Sequence, residues 1–570
     1  MVLFREGECF MDKKKILNIL FFIIIAFFAL YLRLQYVHAD FWYDEACSWF
    51  TAKQSFPMGI VHNLLTLDLQ HTPLYFFVLH FWMKMFGDSE LPLRILSLIF
   101  GIGTIPLVYT AAKKITSKTV SLFCTALATV SPVLVLFSVE VRMYPVVVFL
   151  VMLALNYLID FESNKSTKSL VKLVVADLLI PYTLVGGFLY NLSVYFCYGT
   201  YLFRNKREDF FKYLKAVGIE IVALIPYFYL ISYYAKMRSL FVISHEGELK
   251  FFQIVDVVRN YFGVLMTDNI YWPADKPYLL TVFFTLLVIV PCVYFVIGIV
   301  RGFKTENKFL KTLYSIFVTS FCLSVIFSLF KVNIFTVRYV LYLLPPLFIL
   351  SVIGLFKSLS RKHCIIFLSL FIISSVIYLH YNAPIFNSLK TKALKTVRLE
   401  ADDLELGADD MVIMPFASDA PYYFRDLLSP RVFDFDFHKE VRNPYNSHYY
   451  DKNQQKLMAG LMKSKPVYFA IKSDGVFSKA YADYFYENVN MTVPQGRFVL
   501  VALYGTDANS LVTVDELKNS VNLEDEVNSR FIELMLKKYM LDTRALLNIN
   551  FNLIKVYPRD NFTFLLYQKK

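Results

Sequence analysis

The sequence predicts a polytopic α-helical membrane protein, with about eleven transmembrane helices and a C-terminal extracytoplasmic α/β domain. Three observations carry that prediction. Of 570 residues, 57% are hydrophobic and 18% charged, and the mean hydropathy is +0.49; soluble chains are about 45–50% apolar. Apolar runs recur over roughly the first 380 residues, and basic clusters separate alternate runs.

A membrane-spanning helix needs about 20 mostly apolar residues, because hydrocarbon offers the backbone no water to bond. Such runs lie near residues 16–37, 92–112, 119–137, 144–160, 168–183, 186–203, 211–232, 278–300, 309–330, 336–356 and 363–381. Short cytoplasmic loops carry an excess of Lys and Arg. Lys13, Lys14 and Lys15 therefore put the N-terminus inside. The clusters Lys113/Lys114/Lys118, Lys165/Lys168, Arg204/Lys206/Arg207, Arg301/Lys304/Lys308/Lys311 and Lys357/Arg361/Lys362 then all fall on the cytoplasmic side. The first run is too long, and too weakly followed by small residues, for a removable signal peptide, so it reads as an anchor.

The run PLYFFVLHFWMKMFG (73–87) is short for a span, and counting it as one would reverse every later basic cluster. It is predicted to be a helix lying in the outer interface. Residues 38–91 then form a single extracytoplasmic loop. Just after the first span this loop carries FWYDEACSWF (41–50), whose Asp44 and Glu45 sit between aromatics above the outer surface.

The character changes after residue 381. Residues 382–570 hold 24 basic and 24 acidic side chains, so the whole net charge of +12 belongs to residues 1–381. Loop topology and anionic headgroups account for that charge, and nothing calls for nucleic acid as a partner. Strand-like runs at 410–414, 431–437, 465–472, 497–505 and 562–569 alternate with helix-like stretches at 453–463 and 477–489. This is the pattern of a small α/β domain, and an odd number of spans puts it outside. Seven cysteines give no disulfide framework or paired metal-ligand spacing. Abundant acids leave room for a divalent metal, but no spacing demands one.

Polar groups gather at the outer ends of separate segments. Arg33 lies late in the first span; LDLQHTP (67–73) brings His71, and GDSELPLR (87–94) brings Arg94. FSVEVRMYP (137–145) places Glu140, Arg142 and Tyr144 at one outer hairpin, and KVNIFTVRYVLYLLPP (331–346) places Lys331, Arg338 and Tyr339 at another. Acids and bases converging at one membrane level suit an anionic, membrane-anchored substrate. Each group has a structural alternative: a solvated loop pair for Asp44 and Glu45, a hydrogen-bonding helix entry for His71, headgroup anchors for Arg94, Lys331 and Arg338, and a loop ion pair for Glu140 with Arg142. Asp177 and Glu220, deeper in predicted spans, read as interhelical structural groups.

In order, the DE of the first outer loop, H-x-P, FGDSE-x-x-x-R, E-x-R-x-Y and RY followed by P resemble the GT-C glycosyltransferases of the protein O-mannosyltransferase and aminoarabinose-transferase type. The resemblance covers residues 16–381 and is most specific over 30–145. The chain departs from the mannosyltransferase H-P-P in having His71-Thr72-Pro73. What the resemblance implies is transfer of a sugar from a polyprenyl-phosphate donor at the outer leaflet to an acceptor hydroxyl, with inversion. Asp44 matches the family's first acid and so reads as general base, with Glu45 orienting the acceptor or pairing with a base. Arg338 with Lys331, and Arg94 or Arg142, are expected at the lipid phosphate; Glu140 and Tyr144 are expected to bind the sugar or to hold Arg142 in place, and Arg33, His71 and Tyr339 to belong to the substrate site. The acceptor is a protein, a glycolipid or a polysaccharide, and the location a plasma (inner) membrane. A lipid-linked-sugar transporter or flippase is the rival class, but no repeats or glycine- or proline-broken helices in matching positions support it. A pyrophosphate-donor GT-C enzyme stays open within the favoured class, and a membrane-anchored receptor is a third reading.

Overall fold

The computed structural model describes residues 13–66, 71–240, 251–263, 278–329, 335–390, 394–414, 420–426, 428–434, 448–462, 474–504, 542–559 and 562–570. The chain divides into two compact units. One comprises residues up to Ala39, Thr51–Met237 and Glu246–Asn387; the other comprises Asp40–Phe50, Arg238–His245 and Ser388–Lys570.

The first unit is helical. Helix α1 (Lys13–Leu34) is followed by three shorter helices, α2 (Tyr43–Lys53), α3 (Met58–Thr66) and α4 (Pro73–Phe86). Most of α2 belongs to the other unit. Then come α5 (Glu90–Ile115), α6 (Lys118–Val130), α7 (Pro132–Phe137), α8 (Tyr144–Asn164), α9 (Thr167–Thr183), α10 (Phe188–Asn205), α11 (Arg207–Ala223) and α12 (Ile225–Leu240). Helices α13 (Phe251–Phe262), α14 (Tyr278–Gly302), α15 (Lys308–Leu329), α16 (Val337–Val340), α17 (Leu344–Ser358) and α18 (Arg361–Lys390) complete it. Among the described residues, each predicted apolar run is helical over most of its length. Among the described residues six helices are long and apolar enough to cross a membrane, or seven if α11 and α12, bent by 50°, make one span.

Prolines explain where the helices depart from the predicted spans. The run at 119–137 is two helices, because Pro132 lacks an N–H and disfavours helical backbone in Ser131 before it. Pro226 likewise sits at the break between α11 and α12. Helix α4, at 14 residues, is too short to span hydrocarbon at about 1.5 Å per residue.

Buried polar groups join the helices. Glu220 of α11 accepts from Asn191 at 3.0 Å and Tyr195 at 2.5 Å, and Asn191 also donates to the Asp177 carbonyl of α9 at 2.8 Å. Asn191, in a glycosylation sequon, is fully buried and held in this network, so it is no surface acceptor. Serine and threonine hydroxyls on α6 bond back to carbonyls four residues earlier, Thr125 to Ser121 and Thr129 to Thr125 at 2.8 Å each, which satisfies them without a partner helix.

The second unit holds a five-stranded mixed sheet. Its strands are β1 (Met411–Met414), β2 (Arg431–Asp434), β3 (Phe498–Tyr504), β4 (Phe551–Arg559) and β5 (Phe562–Lys569), in the order β2-β1-β3-β5-β4. β1 runs parallel to β2 and β3, and β5 antiparallel to β3 and β4. Alternate residues feed two cores. Ile413, Val499, Val501 and Leu565 pack with Met458, Tyr481 and Phe485 on one face, and Val412, Leu500, Ala502 and Phe564 with Val397 and Ala401 on the other. Burial on both faces is why 498–504 reads as a continuous apolar run. Val397 and Ala401 belong to α19 (Leu394–Asp403); α20 (Ala420–Tyr423), α21 (Lys452–Met462) and α22 (Asp474–Phe485) lie in the same unit. The expected strand at 465–472 lies outside the described residues.

Candidate active site

Asp44 and Glu45 occupy the first turn of α2. The helix begins where the Trp42 carbonyl accepts the amides of Glu45 at 2.9 Å and Ala46 at 3.1 Å. Glu45 Oε2 reaches back to the Trp42 N–H at 3.4 Å, the return half of a capping box, and both acids are favoured at the positive end of the helix dipole. Glu45 is fully buried. Asp44 is partly exposed.

In the first unit five of the expected residues form a continuous chain of contacts. His71, buried just ahead of α4, meets Arg142 Nη2 at 2.8 Å through Nε2. A guanidinium can only donate, so Nε2 is the acceptor and carries no proton. The His71 carbonyl accepts from the Tyr234 hydroxyl at 2.7 Å. Arg142 comes from the turn between α7 and α8, closed by its own amide on the Glu140 carbonyl at 2.7 Å, and its guanidinium lies 5.7 Å from the Tyr144 ring centre. Tyr144 stands edge-on to Tyr339 at 6.2 Å, and Arg338 lies 5.2 Å from the Tyr339 ring. Glu140 is buried on the same turn as Arg142.

Arg33 and Arg94 belong to the same unit. Arg33, 1% exposed, donates to the carbonyls of Ala29 and Thr129 at 3.2 and 3.1 Å. Arg94, 2% exposed, donates through Nη1 to Val37 O at 2.9 Å and to Ala39 O, fixing the backbone just ahead of residue 40. Lys331 lies outside the described residues, as do 67–70 of the LDLQHTP run. Among the described residues no group of three or more His, Cys, Asp or Glu side chains could hold a metal ion. Sequence reasoning missed Tyr234: it closes the SYY triplet at 232–234, which carries no motif. A further feature of the unit is an apolar cavity of about 510 Å³ bounded by α1, α6 and α18, with Phe28, Phe123 and Ile373 among its walls.

Comparison with known proteins gives a family match over part of the chain and a similarity of fold over nearly all of it. Residues 70–229 match the family model described as dolichyl-phosphate-mannose-protein mannosyltransferase. The chain is similar to ArnT from Cupriavidus metallidurans in the apo state, with 11% identity, 97% of this chain and 98% of that one covered, and a TM-score of 0.52. It also matches ArnT from Cupriavidus metallidurans bound to undecaprenyl phosphate, with 12% identity, coverage of 96% and 98%, and a TM-score of 0.49. The Archaeoglobus fulgidus oligosaccharyltransferase tethered with an acceptor peptide gives 10% identity, coverage of 97% and 89%, and a TM-score of 0.49. No curated protein sequence matches the chain. The resemblance read from the motifs is thereby borne out at the level of the class.

Proposed function

We propose that the protein transfers a sugar from a polyprenyl-phosphate carrier to an acceptor hydroxyl at the outer membrane face, with inversion and with Asp44 as general base. The observation that carries this reading is the division of labour on the first turn of α2: Glu45 is buried and caps the helix, while Asp44 is partly exposed. Inverting displacement needs a base to take the acceptor's proton on the face opposite the leaving group, and a carboxylate in hydrogen-bond reach does this. The departing lipid phosphate gains negative charge, and fixed cations stabilise it best where water is scarce. Arg142 and Arg338, with Lys331, are the cations assigned to it, and guanidinium geometry suits phosphate oxygens. The match to a mannosyltransferase family over 70–229 supports a mannose-like donor. The wholly apolar cavity suits the prenyl chain.

The test is release of sugar from a panel of radiolabelled polyprenyl-phosphate and polyprenyl-pyrophosphate sugars by purified protein, with cell-envelope acceptor present. Asp44→Asn is expected to cut release at least about a hundredfold in a folded protein. Equal release by the variant removes Asp44 from the mechanism. Release only from pyrophosphate-linked donors would move the enzyme to that branch of the class.

A further inference from the structure

The segment that carries the acidic pair is built into the C-terminal unit, not into the helical one. Residues Asp40–Phe50 group with Ser388–Lys570, and the two tyrosines closing α20 contact them. The Phe41 N–H donates to the Tyr423 hydroxyl at 2.8 Å, and that hydroxyl lies 3.4 Å from the Phe41 carbonyl, to which it donates in turn. One side-chain oxygen thus engages both backbone polar groups of Phe41, as a neighbouring strand would. The Tyr422 ring lies 4.5 Å from the Phe41 ring and stands edge-on to Trp49 at 5.3 Å. Tyr422 and Tyr423 therefore grip the segment before the acids and after them.

The tyrosines are fixed from behind. Arg425 lies over the Tyr422 ring at 4.1 Å and donates to the Tyr422 carbonyl at 3.0 Å. Arg398 of α19 donates to the Tyr423 carbonyl at 3.1 Å while held by Asp402 at 2.9 and 3.0 Å. Helix α2 has only 11 residues, and helices under about 12–15 residues are marginal by themselves. Its order has to come from packing.

We infer that Tyr423 and Tyr422 are positioning residues for Asp44, so that the C-terminal domain takes part in the reaction by holding the general base in register. The inference rests on Asp44 acting as that base. A reacting carboxylate displaced by about an ångström can cost a hundredfold in rate, so the contacts that fix the segment govern turnover.

The experiment uses the full-length protein in detergent with Tyr423→Phe, which removes one oxygen, and the pair Tyr422→Phe and Tyr422→Leu, which keep and remove the ring. Two readouts are taken: amide hydrogen exchange over residues 41–50, and kcat and KM for whichever radiolabelled polyprenyl-phosphate sugar the wild type cleaves. Tyr423→Phe and Tyr422→Leu are expected to raise exchange in 41–50 about tenfold with the strands unchanged, and to lower kcat about tenfold with KM for the donor unmoved. Tyr422→Phe should stay near wild type. Unchanged exchange in 41–50 overturns the inference, as does raised exchange with unaltered kcat. If the wild type cleaves no donor while exchange still rises in the variants, the anchoring stands and the functional reading is what fails.

Discussion

Two adjacent acids on one helical turn point about 100° apart, because a helix turns once in 3.6 residues, and this separates Asp44 from Glu45. The same contrast applies to the arginines. Arg142 and Arg338 lie against aromatic rings in the contact chain that starts at His71, whereas Arg94 donates to the Val37 and Ala39 carbonyls. A charged donor on two buried carbonyls is worth about 1.5–3 kcal/mol per bond, and losing it strands acceptors away from water. Arg94→Met is therefore expected to lower stability by about 2–4 kcal/mol, seen as a lower midpoint in thermal unfolding, with KM for the donor unchanged in whatever activity survives. A raised KM at unaltered stability would instead make Arg94 a phosphate ligand. Arg94→Lys should recover little, since an ammonium lacks the planar fork of donors.

At the scale of elements, the close approach of α14 and α17 depends on two glycines. A Cβ on Gly354 would overlap the Gly298 carbonyl oxygen, and one on Gly298 would overlap the Ser351 carbonyl oxygen. Both obstacles are backbone, so no rotamer change relieves them. Small residues let helices in a membrane pack backbone to backbone. Gly354→Val is expected to cost at least about 1–3 kcal/mol by overpacking and to lower the detergent unfolding midpoint well below that of Ser358→Ala, on the same helix; an unmoved midpoint would show that α14 and α17 separate freely. The apolar runs made these helices legible, because a span is a long unbroken pattern. The breaks at Pro132 and Pro226 were also written in the sequence, but a hydropathy window averages across them. Strand β4 was not legible: its pattern is almost wholly exposed, and Lys555 and Pro558 mark an edge strand with one neighbour. Of the site, the residue types and order were readable as motifs. The link from Tyr422 and Tyr423 to Phe41 was not, because it joins positions 382 residues apart and side-chain contact at such range leaves no local pattern.

For the whole molecule the outstanding quantity is sidedness. All of the net charge of +12 resides in residues 1–381, concentrated in clusters between alternate spans. Two of the clusters are tied together: Glu162 at the end of α8 accepts from Lys206 at 2.7 Å, Tyr201 at 2.7 Å and Tyr198 at 2.9 Å, and pairs with Lys165. An arrangement that holds lysines of the α8–α9 and α10–α11 connections, two alternate loops, on one carboxylate fits a single membrane side for both. The proposed outer-face reaction requires that side to be the cytoplasmic one, as the positive-inside rule has it, and requires the C-terminal sheet to lie outside. Single cysteines at two exposed positions, Lys308→Cys and Gln495→Cys, in a protein stripped of its seven native cysteines, decide this with a membrane-impermeant maleimide. Gln495→Cys is expected to label in intact cells and Lys308→Cys only after permeabilisation. The reverse pattern would place the acidic pair with the cytoplasm and require a donor made and consumed on that face. Labelling of both in intact cells would mean an even number of crossings between them, which the eleven-span reading does not allow.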